Sequence, residues 1–197
     1  MGQKTKNNFS KSFMILGLAL VLGLSTAAYS QKLDHPQTRE ERQTTLLKEE
    51  VRHQLVMMPY FSVFDWLEAE VSPNGTVTLM GEVTQPTLKS EAEARIKRLE
   101  SATSVVNKIE VLPLSNNDDQ IRSAVYRAIY MNDSPLFKYA MRSVGPIHII
   151  VKNGHVTLKG VVANDGDKQL AYMAANGVPG VFSVENQLKV EEREPIS

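Results

Sequence analysis

Two alternating apolar runs that meet at Asn-Gly constrain this chain more than any other feature, because the pattern is written twice. The clear copy is Ile147-His148-Ile149-Ile150-Val151-Lys152, then Asn153-Gly154, then His155-Val156-Thr157-Leu158-Lys159-Gly160. The other runs from Leu67 to Gly81 around Pro73-Asn74-Gly75. Asn and Gly both accept positive φ, so the pair between two such runs predicts a β-hairpin. In the first copy, proline starts a type I turn and Gly75 takes the left-handed position, which predicts a three-residue loop. That loop pairs Val71 with Val77, Ala69 with Leu79 and Leu67 with Gly81 on one face. The two-residue loop of the second copy sets His155 opposite Lys152.

From the turn onward the two copies align without a gap at an offset of 79. Gly75 falls on Gly154, Gly81 on Gly160, Lys89 on Lys168, Ala92 on Ala171, Asn107 on Asn186 and Val111 on Val190. The helical patterns before the hairpins align instead at 70, with Val51 on Ile121. The second unit therefore holds nine extra residues within Met131 to Pro146, around Leu136-Phe137-Lys138-Tyr139.

Each unit then reads as helix, hairpin, helix and strand. Leu47, Val51 and Leu55 recur at four-residue steps and predict a helix from Thr44, ended at Met57-Met58-Pro59. Pro86-Thr87 opens a second helix with Leu88, Ala92, Ile96 and Leu99 inward, and Val105 to Val111 makes a third strand. The polar stretch Ser115 to Asp119 supplies caps, and Ile121, Val125 and Ile129 repeat the first helix. After the second hairpin, Asp165 or Asp167 is expected to cap a helix carrying Leu170, Ala171, Ala174 and Ala175, before a last strand ending at Val190. The fold class is α+β. It comprises two tandem αββαβ domains, over 44–114 and 118–192, each a three-stranded sheet with helices packed on one face. Gly81 and Gly160 fall on the core side of their strands, where close approach of a helix is the expected reason. Asn107 and Asn186 also point inward and are expected to satisfy backbone groups at the strand end.

Ahead of the first domain, Lys4, Lys6 and Lys11 precede an apolar run from Phe13 to Leu24 and the small residues of Ala28-Tyr29-Ser30. That order reads as a signal peptide over 1–30 with cleavage before Gln31, followed by a polar, flexible lead-in over 31–43. The run is short for a bilayer span. With no cysteine in the chain there is no lipoprotein anchor and no disulfide. The expected location is the periplasm, as a soluble protein and not an integral membrane one. Without the three leader lysines the balance is 19 basic against 22 acidic residues, which argues against a nucleic-acid partner.

The strand Asn-Gly-x-Val-Thr-Leu-x-Gly-x-Val, the lysine-bearing helix after it, and Val184-Glu185-Asn186 before Leu188 and Val190 resemble the BON domain. The resemblance covers about Thr44 to Val111 and Asp118 to Val190, and departs at Ser101-Ala102-Thr103-Ser104, where Gly-Val is usual. It implies a bacterial envelope protein, often an exported tandem pair that includes osmotically inducible members. It also implies binding to phospholipid or another envelope surface, through the second helix of the second domain, and not catalysis.

No constellation of residues contradicts that. There is no His-Glu-x-x-His, no Gly-x-Ser-x-Gly and no phosphate-cradling glycine loop, so no catalytic residue, metal site or cofactor is expected. Asn164-Asp165-Gly166-Asp167 lacks the later glutamate of a calcium loop and reads as a helix cap. The open sheet faces differ in charge: Glu68, Glu70 and Glu82 in the first copy, His148, Lys152, His155 and Lys159 in the second. They are expected either to dock, with Glu70 and Lys159 as a trial pair, or to separate the roles of the domains. Lys168, Tyr172, Met173 and Asn176 on the last helix, with Phe137, Lys138, Tyr139 and Arg142 of the insertion, form the expected lipid-facing set. The alternative partner is an envelope polypeptide, bound in a groove or along a sheet edge.

Overall fold

A computed structural model describes residues 38–191, apart from 132 and 143. The expected leader and residues 31–37 of the lead-in lie outside the described residues. Among the described residues no helix is long and apolar enough to cross a membrane.

The first helix, α1 (Arg39–Val56), starts five residues before the Thr44 expected from apolar spacing. Its first turn is polar and exposed, so periodicity could not see it. A capping box sets the start instead. Thr38 Oγ1 accepts from Glu41 N (3.2 Å), and Glu41 Oε2 accepts from Thr38 N (2.8 Å). The helix buries Leu47, Val51 and Leu55.

The hairpin follows as β1 (Trp66–Val71) and β2 (Thr76–Val83), with Leu67 facing Gly81, Ala69 facing Leu79 and Val71 facing Val77. After α2 (Pro86–Ile96) the chain returns parallel to β2 in two pieces, β3 (Ser104–Asn107) and β4 (Glu110–Val111). Both pieces keep one register, Thr76 with Ser104 and Glu82 with Glu110, so they are a single interrupted third strand. The second copy repeats this order: α3 (Asn116–Tyr130), β5 (Ile147–Lys152), β6 (His155–Val162), α4 (Asp165–Asn176), β7 (Ser183–Asn186) and β8 (Lys189–Val190). Lys152 faces His155, and both Asn153 (φ 54°) and Gly154 (φ 78°) take the left-handed conformation that a two-residue turn needs. The equivalent bonds Thr103 N to Gly75 O (2.9 Å) and Phe182 N to Gly154 O (2.8 Å) hold the third strand to the turn in each copy. The altered Ser101–Ser104 stretch therefore keeps the geometry of the second copy.

Asn164, not Asp165 or Asp167, caps α4: its backbone is extended and its Oδ1 accepts from Asp167 N (2.9 Å). Close approach of a helix is also not what requires Gly81 and Gly160. A Cβ on Gly81 would lie 2.0 Å from Trp66 O, and one on Gly160 would lie 1.9 Å from Pro146 O, at φ +122° and +120°. The neighbouring strand's own backbone fills the space.

Asn107 and Asn186 do the same job in both copies. Asn107 Nδ2 donates to Lys89 O (3.0 Å), and its Oδ1 accepts from Ile109 N (3.1 Å). Asn186 Nδ2 donates to Lys168 O (2.9 Å), and its Oδ1 accepts from Leu188 N (3.2 Å). Each amide thus ties the interruption of the third strand to the helix above it, leaving no buried amide group idle. Each domain has its own core. Val77, Leu79 and Val83 meet α1 and α2 in the first, and Ile147, Ile149, Leu158 and Val162 meet α3 and α4 in the second.

Candidate functional site

The insertion before β5 is folded, and Asp167 in the first turn of α4 holds it. Its segment Phe137–Met141 forms a 3-10 helix. Lys138 Nζ and Tyr139 Oη both donate to Asp167 Oδ2 at 2.7 Å, and Tyr139 Oη accepts from Ala163 N at 2.7 Å. Burial works against the charge on Asp167, yet the hydrogen bonds from Lys138 and Tyr139 keep its pKa below the usual value. The bond to Asp167 raises Lys138, while burial raises Tyr139. Leu136 and Tyr139 are buried against the second core.

That geometry divides the expected lipid-facing set. Tyr139 is buried and Lys138 is paired, so these two fasten the insertion to α4. Phe137 and Arg142 stay exposed beside them. On α4, Lys168, Tyr172 and Asn176 follow at four-residue steps along one face; Asn176 is exposed, the others half-buried, and Met173 next to them is 52% exposed.

A second polar constellation lies where the domains meet. Asp65, just before β1, is fully buried. Its Oδ2 accepts from Ser62 N (3.1 Å) and Ser62 Oγ (2.7 Å), and its Oδ1 from Thr84 N (2.7 Å) and Thr84 Oγ1 (2.8 Å). Its carbonyl lies 2.6 Å from His148 Nδ1 on β5. A carbonyl only accepts, so Nδ1 carries the proton. Phe61 and Trp66 flank the imidazole at ring distances of 5.5 and 5.1 Å. Burial lowers the His148 pKa below its ordinary 6.5, against the hydrogen bond to Asp65.

The sheet faces do dock, through other pairs than Glu70 and Lys159. Lys159 Nζ meets Glu82 at 3.1 Å, and Lys152 Nζ meets Glu110 at 2.5 Å. Glu82 and Glu110 are register neighbours across β2 and β4, which puts two carboxylates at one level of the sheet. Glu70 faces Thr78 further along the hairpin and stays exposed. The exposed Lys152–Glu110 pair adds little stability, whereas Lys159–Glu82 is partly buried.

The outer edge of β5 is sealed. Ile147 N donates to Tyr130 Oη (3.0 Å), which in turn donates to Ile147 O (2.6 Å). Ile149 N donates to Val63 O of the first domain (2.7 Å), and Arg122 Nη2 donates to Val151 O (2.7 Å). Asp118, also fully buried, accepts from Asn153 N (2.9 Å) and Gly154 N (2.8 Å) at the hairpin turn. Asp65, Arg122 and Tyr130 have no role legible in the sequence, and Asp118 reads there only as part of the capping stretch Ser115 to Asp119. The one further signal is the i, i+4 spacing of Asp118 and Arg122 on an otherwise amphipathic helix; Asp65 left none.

Both histidines of the second hairpin have a hydrogen-bond partner at Nδ1. His148 bonds a carbonyl, and His155 Nδ1 lies 2.7 Å from Ser183 Oγ with its ring against Phe182. Among the described residues no group of three or more His, Cys, Asp or Glu could hold a metal ion.

No curated protein matches the chain. Two solved structures of CdsD, a structural protein of the type III secretion system of Chlamydia trachomatis, are similar to it; one is its C-terminal domain. Both are 16% identical over 74% of this chain and over 96% and 93% of theirs, with a TM-score of 0.27. The BON domain family matches twice, over residues 43–113 and 117–192, the stretches that fold as the two αββαβ units. The chain belongs to the BON-domain family, as a tandem pair.

Proposed function

We propose that this chain is an exported, non-enzymatic binding protein of the cell envelope that associates with phospholipid surfaces through its second domain. One observation carries the reading: Lys168, Tyr172 and Asn176 share a face of α4, beside exposed Met173 and an insertion pinned by Asp167 that presents Phe137 and Arg142. A cation above apolar and aromatic side chains suits a headgroup–acyl boundary. BON domains are envelope modules, which fits a leader-like N-terminal sequence and the absence of cysteine. Each lysine near an anionic surface contributes about 1 kcal/mol, so binding is weak and salt-sensitive.

Co-sedimentation with vesicles of phosphatidylglycerol and phosphatidylethanolamine tests this. The protein is expected to pellet with anionic vesicles and to remain in solution with phosphatidylcholine alone. Lys168→Glu is expected to lower the anionic partition about tenfold, and Tyr172→Ser to lower it further. Equal pelleting with both vesicle types, or a Lys168→Glu variant that binds like wild type, would remove the lipid reading.

A further inference from the structure

The two copies treat the same strand edge in opposite ways. In the second sheet His148, Ile150 and Lys152 exchange hydrogen bonds with β6, so Ile147, Ile149 and Val151 turn their backbone groups outward. Tyr130, Val63 and Arg122 take those groups up. Ala69 faces Leu79 as Ile149 faces Leu158, so the outward residues of the first sheet are Leu67, Ala69 and Val71. Among the described residues no hydrogen bond reaches their outer backbone groups.

The helix side chains explain the difference. Arg122, Tyr126 and Tyr130 line the β5 edge, and at the offset of 70 they correspond to Arg52, Val56 and Tyr60. All three of these are exposed, Val56 at 58% and Tyr60 at 80%, and Tyr60 stands at φ 65° beyond the end of α1. In the second domain a segment of chain occupies the groove: Val63 bonds the strand edge and Phe64 packs on Tyr126 at 6.0 Å. The first domain has the same edge and no such segment among the described residues.

We propose that the outer edge of β1, with Val56 and Tyr60 beside it, is a docking site for an extended segment of a partner protein carrying alternating basic and apolar side chains. The seated Phe61–Phe64 turn shows what such an edge accepts, a main-chain bond from Ile149 N to Val63 O and Phe64 packed on Tyr126, and an extended partner would repeat both along β1 by strand addition. Charge supplies the alternate positions. Glu68 and Glu70 project from the open face of β1, exposed and without an ion pair among the described residues, so a strand laid alongside places every second side chain next to a carboxylate. The same two glutamates disfavour a second copy as the occupant, because antiparallel pairing of two β1 edges brings like charges together.

The test uses the full chain and two synthetic decapeptides, one alternating valine with lysine and one alternating valine with glutamate, followed by amide hydrogen exchange. The valine–lysine peptide is expected to slow exchange at Leu67, Ala69 and Val71 at least tenfold, and the valine–glutamate peptide to leave it unchanged. Glu68→Lys with Glu70→Lys, both surface changes, should reverse that preference. Ala69→Pro removes an outward N–H without breaking the β1–β2 ladder and should abolish the protection. If the proline variant is destabilised, the charge reversal decides alone. The proposal is overturned if wild type binds both peptides equally, if protection appears at other strands, or if it grows with protein concentration in the absence of peptide.

Discussion

Gly160→Ala is expected to unfold the second domain or leave it barely stable. The added Cβ would stand 1.9 Å from Pro146 O and 3.0 Å from its carbonyl carbon, far inside contact distance, and that neighbour is backbone that cannot swing aside. The position also lies at φ +120°, where an L side chain is strained before any clash. Together these should cost about 3 kcal/mol or more, a large share of what stabilises a domain of this size. Gly154→Ala separates the two causes. Its φ is +78°, but the nearest atom would be 3.6 Å away, so only the conformational term remains, about 1 kcal/mol. Urea unfolding of the three proteins gives the ranking. Similar midpoints for both variants would mean that the close approach of the β5 backbone is not what requires glycine at 160.

Asp65→Ala should have an effect of similar size at the meeting of the domains. Removing the carboxylate leaves two backbone amides and two hydroxyls without their acceptor in a fully buried place. Unmet buried donors cost about 1–3 kcal/mol each when they cannot rotate to water, so a loss of about 3 kcal/mol is expected. Loosening of the Ser62–Asp65 turn should also free His148, whose proton is held on the Asp65 carbonyl. The pH dependence follows from the lowered His148 pKa. In the folded chain the imidazole stays neutral below pH 6.5, whereas in the unfolded chain it takes up a proton there. Stability is therefore complete above 6.5 and declines as pH falls from 6.5 towards the lowered folded value. Unfolding measured from pH 7.5 to 5.0 should show that decline in wild type and a flatter line in Asp65→Ala; a parallel decline in both would detach His148 from the joint.

The fold was legible because a duplicated hairpin carries its own check. Loop length predicts the register of each hairpin, one offset of 79 from the turn onward pairs the glycines and the asparagines, and all of these appear in the structure. What stayed hidden is what the copies do differently. The capping box at Thr38 and Glu41 sits on an exposed turn with no apolar pattern. Asp65 and Tyr130 act across 19 and 17 residues or between domains, where spacing along the chain says nothing. Tyr139 reads from the chain as part of a lipid-facing set with Phe137, Lys138 and Arg142, and its hydroxyl is bound by Asp167 and Ala163. The face charges were legible, and the partners were not: docking selected Glu82 and Glu110 because strand pairing set them side by side.

The divergence of the two strand edges can be read directly by native-state amide hydrogen exchange on the unliganded full chain. Ile147 and Ile149 should exchange slowly, because Tyr130 and Val63 hold their outward amides, while Leu67 and Ala69 should exchange about a hundredfold faster. Equal, slow exchange at all four positions would show that the β1 edge is covered in solution and would contradict the assignment of different roles to the two copies.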